Sequence, residues 1–303
     1  MEAGSPDAWK KYPVFYFDFN GENYHEPDAL EMVLEEHLQE WEEQYGILKS
    51  VGTLGERFRS LLKTASASCG SRCVVLVDEY DKPLKDCPEY EEYSNAVFKG
   101  FFSSLKRMDE VIQFVMITGI TKFQKVSIFS DLNQLRDISL SKEFAGICGI
   151  TEHEMVGCFG DEIRLLAEEQ GMTEEQCLAQ LKKTYDGYRF HPNGEVLYNP
   201  FSLLNVFADK EFSSFWFETG TPSFLVRKMI QDRFDVRKLT DGTLYASEAS
   251  LSDFSTDSND PLPLLYQTGY LTIKDYDKTR RRYTLGVPNE EVEYGLLKCL
   301  IPK

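Results

Sequence analysis

Asp78, Glu79 and Asp81 stand together at the end of an apolar run, Cys73-Val-Val-Leu-Val77. Five consecutive apolar residues, mostly β-branched, predict a strand buried on both faces, and the carboxylates fall where that strand leaves its sheet. In open α/β sheets ligands bind outside the carboxyl ends of the strands. One carboxylate there can hold a divalent cation on a phosphate while its neighbour orients a water for attack, which is the division of labour phosphoryl transfer needs. The same acids would also serve simply as a soluble strand-to-loop junction, or the cluster could bind a cation for hydrolysis, as a metal-dependent nuclease does. A second polar strand end comes at Thr118, after Val111-Ile-Gln-Phe-Val-Met-Ile117. Its hydroxyl either faces the same site or begins a turn with Gly119.

The elements that must position these groups alternate. Tyr12-Pro-Val-Phe-Tyr-Phe-Asp-Phe-Asn20 predicts a first strand, broken by Asn20-Gly21. From Asp28, Leu30, Val33, Leu34, Leu38 and Trp41 recur at helical spacing, and a second helix runs from Leu54 to Ala65. The acidic segment 89–92 opens a further helix carrying Val97, Phe98, Phe101, Phe102 and Leu105. Strand, helices, strand, helix, strand is the order of a parallel sheet with right-handed crossovers. Residues 120–140 are neither helix-periodic nor cleanly alternating, and loops of that length usually serve a site.

The second half reads as mainly helical. Thr151-Glu-His-Glu154 has the form of a capping box, opening a helix that continues through Ile163, Leu165 and Leu166 to Gly171, and Thr173 opens the next. Asp186-Gly187 is a tight turn inside Tyr185-Asp-Gly-Tyr-Arg-Phe190, an aromatic unit with a structural role, although Arg189 could face a phosphate. Short helices follow at Ser202 to Phe207 and Phe224 to Ile230, then a polar loop over 247–263. Residues 264–268, 270–274 and 283–287 give helix, strand and strand, the outline of a small winged helix. Its tip, Arg280-Arg-Arg282, is a solvated hairpin end or a basic contact.

Composition narrows the classes. The chain has 303 residues, 42% hydrophobic, enough for a large core. Its 33 Lys plus Arg against 50 Asp plus Glu leave a net charge of -17, which repels phosphate backbones and acidic lipid and disfavours direct nucleic-acid binding. Seven cysteines in no paired framework fit a reduced, cytoplasmic setting. No apolar run approaches membrane-spanning length. Cys148, His153 and Cys158 lack the second ligand pair of a zinc site, and no local signature marks a Cys-His nucleophile.

At this point several stretches resemble one family. Val74-Val-Leu-Val-Asp-Glu-Tyr-Asp-Lys-Pro-Leu84, Thr118-Gly-Ile-Thr-Lys-Phe123 and Ser127-Ile-Phe-Ser-Asp-Leu-Asn-Gln-Leu-Arg-Asp-Ile-Ser-Leu140 are similar to the AAA-ATPase-like proteins. Tyr185-Asp-Gly-Tyr-Arg-Phe190, Tyr198-Asn-Pro-Phe-Ser-Leu-Leu204, Thr219-Gly-Thr-Pro-Ser-Phe-Leu225, Leu264-Leu-Tyr-Gln-Thr-Gly-Tyr-Leu-Thr-Ile273 and Leu285-Gly-Val-Pro-Asn-Glu-Glu-Val292 continue the pattern in order. The resemblance implies an AAA+/STAND-like P-loop NTPase core over 1–150 and a helical lid with a winged-helix-like region over 151–303. A restriction-endonuclease-like nuclease follows in many relatives. It implies that Asp78-Glu79 is the Walker B pair, Asp78 holding Mg2+ through water and Glu79 orienting the attacking water, and that Thr118 is the sensor 1 residue. Lys122 and Arg136 are placed near the terminal phosphate of ATP.

The sequence departs from that pattern at the phosphate cradle. A P-loop needs Gly-Lys followed by Ser or Thr, so that backbone N–H groups and the Lys surround the phosphates and the hydroxyl holds Mg2+. No glycine in this chain is followed by lysine. The expectation is therefore an α/β fold with an incomplete parallel P-loop NTPase sheet, a truncated module keeping an ATP and Mg2+ half-site and hydrolysing little by itself. The strand that should carry the cradle lies next to the Thr118 strand in such sheets. Its edge would be closed by residues 136–140, by a protein partner or by a second copy. A protein-interaction module with a vestigial nucleotide site is the alternative.

Overall fold

A computed structural model describes residues 9–21, 23–47, 51–86, 90–106, 108–121, 135–220, 229, 234, 236–239, 244–252 and 260–300. The chain divides into two compact units, residues 1–136 and 137–303.

In the first unit, strands β1 (Val14–Asp18), β2 (Cys73–Asp78) and β3 (Ile112–Ile117) lie parallel in that order. The register sets Asp18 beside Asp78 and Val77 beside Ile117, so the three carboxyl ends are level. Parallel neighbours cannot be joined by a tight hairpin, and helices make the crossovers. Helices α1 (Ala29–Gln44) and α2 (Leu54–Cys69) link β1 to β2, and α3 (Lys82–Asp86) and α4 (Glu91–Phe102) link β2 to β3. Thr53 and Glu56 form a capping box at the start of α2, and Gly70 ends that helix in the left-handed conformation.

Helices α1, α2 and α4 pack on the sheet face that presents Phe15, Phe17 and Phe19, all fully buried. The Phe17 ring lies 4.9 Å from Trp41 and 5.4 Å from Phe58 and Phe101, so one strand residue bonds edge-on to all three helices. The Arg57 guanidinium donates to Glu42 at 2.9 and 2.7 Å and to Glu35 at 2.5 Å, tying α2 to α1. The opposite sheet face is open: Val14, Tyr16 and Phe114 are about half exposed. Strand β2 therefore alternates between buried and partly exposed residues and is not sealed on both faces as its apolar run predicted. An apolar run does not distinguish a strand covered twice from one covered once.

Strand β3 pairs only with β2 among the described residues. Arg136 to Leu140, one of the expected closures, form no strand. The Asp137 carboxylate instead accepts the Ser139 N–H at 3.0 Å, a local turn that takes the backbone out of extended pairing.

In the second unit, α5 (Glu152–Cys158), α6 (Gly160–Glu169), α7 (Glu174–Tyr185), α8 (Pro200–Asp209) and α9 (Phe215–Gly220) are grouped around Met155, Leu166, Leu181, Tyr185, Tyr198 and Leu203. Thr151 and Thr173 cap α5 and α7 as their sequences predict. The single helix expected over 151–171 is two, broken where Phe159 leaves the helical region at φ -121. Gly157 and Gly160 flank that break, and glycine weakens a helix interior.

Strands β4 (Leu244–Ala246), β5 (Thr272–Asp277) and β6 (Arg282–Gly286) form an antiparallel sheet in the order β4-β6-β5. Between β4 and β5 come α10 (Glu248–Ser252) and α11 (Leu262–Gln267), and α12 (Glu290–Leu300) follows the sheet. Helix α10 lies where a polar loop was expected. The Ser247 hydroxyl accepts the Ser250 N–H at 3.1 Å and Leu251 is buried, so a cap and one apolar anchor suffice. The helix predicted at Phe224 to Ile230 falls outside the described residues apart from Met229.

Candidate functional site

Strand β2 ends with Asp78 between two neighbouring strands, and each supplies a hydroxyl. Thr118, just past β3, donates its hydroxyl to Asp78 Oδ1, and Tyr16, on β1, donates to Asp78 Oδ2 at 3.3 Å. The Glu79 backbone N–H adds a bond to Oδ1 at 3.0 Å. The carboxylate is thus held across the sheet yet stays partly exposed, at the carboxyl ends of parallel strands. Removal from water, and then the Asp18 and Asp78 carboxylates, push the Tyr16 hydroxyl above its ordinary pKa, so it is protonated and donating at neutral pH.

Glu79 has φ +53, the left-handed region that non-glycine residues rarely occupy. That turn brings the Tyr80 N–H to the Thr118 carbonyl at 3.2 Å and lets the Lys82 N–H reach the Glu79 carbonyl at 2.9 Å. Backbone held in this region costs energy that the surroundings must offset, and such residues gather at functional sites.

Asp81 does something else. It is fully buried, and its carboxylate accepts the Ile120 N–H at 3.1 Å, the Thr121 N–H at 2.7 Å and the Thr121 hydroxyl at 2.5 Å. Tyr80 Oη reaches the Thr121 carbonyl at 3.1 Å. Together they tie the turn after β3 to the turn after β2. Gly119 has to be glycine here, because a Cβ would stand 2.5 Å from Asp81 Oδ1 and 2.8 Å from the Tyr80 ring. The sequence grouped Asp81 with Asp78 and Glu79 as one acidic cluster, and the geometry separates it. Among the described residues no three His, Cys, Asp or Glu side chains converge on a metal-sized site.

Of the residues predicted for the site, Asp78, Glu79 and Thr118 come together. Lys122 lies outside the described residues, and Arg136 is exposed and not among the hydrogen-bond partners of Asp78 or Thr118. Tyr16 was missed. Strand alternation puts Tyr16 on the same face as Asp18, and parallel pairing with β2 would have brought that face to Asp78.

The donor set suits Mg2+, a hard cation bound by one or two carboxylates with water and phosphate oxygens supplying the rest. Asp78 is the residue that would hold it. The residues present do not supply a cradle for the phosphates of ATP, since the Gly-Lys-Ser or Gly-Lys-Thr sequence is absent from the chain.

Residues 3–129 match the family model for AAA-ATPase-like domains, described as a predicted AAA-ATPase. Over 97% of its length the chain is 35% identical to a protein of Azotobacter chroococcum mcd 1 described as the uncharacterized protein in the vnfD 5' region, and it spans 56% of that relative. Residues 3–129, which hold the parallel sheet of β1, β2 and β3, are thus similar to the AAA-ATPase-like domain.

Proposed function

We propose that the first unit is the cation- and water-facing half of an ATP site, with Asp78 as the Mg2+ residue, Glu79 as the water-orienting residue and Thr118 as the sensor. The observation that carries this is the bond from the Thr118 hydroxyl to Asp78 across adjacent strand ends, with Glu79 next in line in a left-handed backbone. Mg2+ bound there would neutralise charge on the phosphates, and the side chains around it would fix the metal's position and the direction from which water arrives. The phosphate cradle, whose Gly-Lys sequence this chain lacks, would be supplied by a strand laid against the edge of β3 that no described residue pairs with. The chain by itself hydrolyses ATP slowly or not at all, because phosphate positioning carries most of the catalysis. Titration with Mg-ATP is the test: saturable binding that Asp78→Asn weakens supports the half-site, and equal binding by both proteins removes Asp78 from it.

The half-exposed Phe114 on that edge supports a second reading, in which β3 takes a strand from a protein partner or a second copy and the nucleotide site is vestigial. A strand partner that binds equally well to the Asp78→Asn protein, with no effect of Mg-ATP, favours this reading. The second unit's order, β4 then two helices then β5 and β6 with β6 in the middle, supports a winged-helix assignment for residues 244–286. Among the described residues five cysteines lie as free thiols, which supports a cytoplasmic setting.

A further inference from the structure

Asp78 is gripped from both sides, and only one grip belongs to the sensor. On the β3 side the Thr118 hydroxyl and the Glu79 N–H both take Oδ1. On the β1 side Tyr16 takes Oδ2. Without it, Oδ2 has no donor among the described residues, and the bonds at Oδ1 are left alone to resist rotation about the carboxylate's last torsion, which has broad wells.

We propose that Tyr16 is a positioning residue for the cation at Asp78: its hydroxyl fixes the carboxylate plane so that a lone pair of Oδ2 is presented at the open end of the sheet. This rests on the half-site described above but concerns a residue that the half-site does not itself require. Three features support it. Tyr16 and Asp18 alternate with the buried Phe15 and Phe17 and so stand on the open sheet face, and the register sets Asp18 directly beside Asp78. The Tyr16 ring is 46% exposed, so it contributes little core packing, and its loss would not collapse the sheet. The contact is 3.3 Å, a long hydrogen bond that leaves Oδ2 able to take a cation as well.

The experiment uses the full chain and Mn2+ as the probe, read by electron paramagnetic resonance for affinity and by broadening of the tyrosine NMR signals for location. In the unaltered protein Mn2+ broadens the Tyr16 signal, and Asp78→Asn abolishes that broadening. Tyr16→Phe, which removes the hydroxyl and keeps the ring, lowers Mn2+ affinity about three- to ten-fold, the range for one hydrogen bond that orients a charged group, with an unchanged thermal midpoint. Unchanged Mn2+ affinity in Tyr16→Phe overturns the proposal, as does Mn2+ that binds without broadening Tyr16. A fluorescent ATP analogue separates this from the half-site. If it never binds while Tyr16→Phe still weakens Mn2+, the nucleotide assignment fails and the role of Tyr16 stands.

Discussion

The acids of the two units are treated in opposite ways. At the end of β2, Asp78 and Glu79 stay partly exposed and Asp78 is held by hydroxyls. In the second unit Glu291 and Asp186 are buried. Glu291 accepts the Ser202 hydroxyl at 2.7 Å and the Trp216 N–H at 2.8 Å, so the first turn of α12 is bonded to α8 and α9. Asp186 lies in the turn after α7, its carbonyl accepting the Asn289 amide at 2.9 Å, while Gly187 has φ +111 and packs against the Pro288 carbonyl. Burial pushes both carboxyls upward, with neighbouring donors pulling each part of the way back. Glu291, a buried acid with fixed partners, fastens elements together, and Asp186 is tied through its backbone while its Oδ1 has no hydrogen-bond partner among the described residues, whereas an acid left reachable is available for a ligand. Asp81 shows that the division does not follow the units, for it is a buried fastening three residues from Asp78.

The largest effect should come from Asp81. Asp81→Ala removes the acceptor for two backbone N–H groups and a hydroxyl in a sealed site, and should cost about 3–5 kcal/mol of stability by chemical denaturation. A loss below about 1 kcal/mol would place Asp81 with Asp78 after all and erase the contrast between them.

Glu291 should come next, and the sign of its pH dependence is the sharper test. Folding strengthens its hold on the proton, so its contribution to stability is complete below the unfolded value of about 4.3 and is lost as pH rises through the raised folded value. Glu291→Gln keeps an acceptor without the charge. It should match or exceed the parent protein in stability at pH 7 and fall behind only in acid. Glu291→Ala should lose about 2–3 kcal/mol at every pH, because the Trp216 N–H and Ser202 hydroxyl lose their acceptor. If Glu291→Gln is the weaker protein at pH 7, the carboxylate is there as a charge and the second unit's acids are not mere fastenings.

Much of this was legible in the sequence, and what was not has physical causes. Apolar runs and 3.6-residue periodicity located β1 to β3, α1, α2 and α4, and two capping boxes located the starts of α5 and α7. The residues alone left Thr118 either facing Asp78 or beginning a turn, and the resemblance put it beside Asp78; the adjacency of β2 and β3 and the bond between the two side chains were not legible in chain order. Strand β4 was invisible, since Leu244-Tyr-Ala246 is too short to show a period. The division between Asp78 and Asp81 could not be read either. A carboxylate's burial depends on whether a distant loop, here residues 119–121, folds back onto it, and residue type and spacing do not carry that.

The smallest effect is also the one most specific to the reachable acids. Glu79 holds φ +53 although a glycine would occupy that region without penalty. Glu79→Gly removes the side chain's conflict with the left-handed backbone, an L-residue cost of about 1–2 kcal/mol, while the greater freedom of glycine in the unfolded chain returns about 0.5–1 kcal/mol of it. On these backbone terms alone the substituted protein gains between nothing and about 1.5 kcal/mol, and whatever the Glu79 side chain bonds to is set against that gain. Asp81→Ala and Glu79→Gly lie in one turn and should move stability in opposite directions. Such a pair is expected only where one acid holds the turn together and the other is kept in it at a cost to stability. A clear loss of stability in Glu79→Gly would mean that its carboxylate makes a structural bond, and the turn after β2 would then resemble the buried fastenings of the second unit.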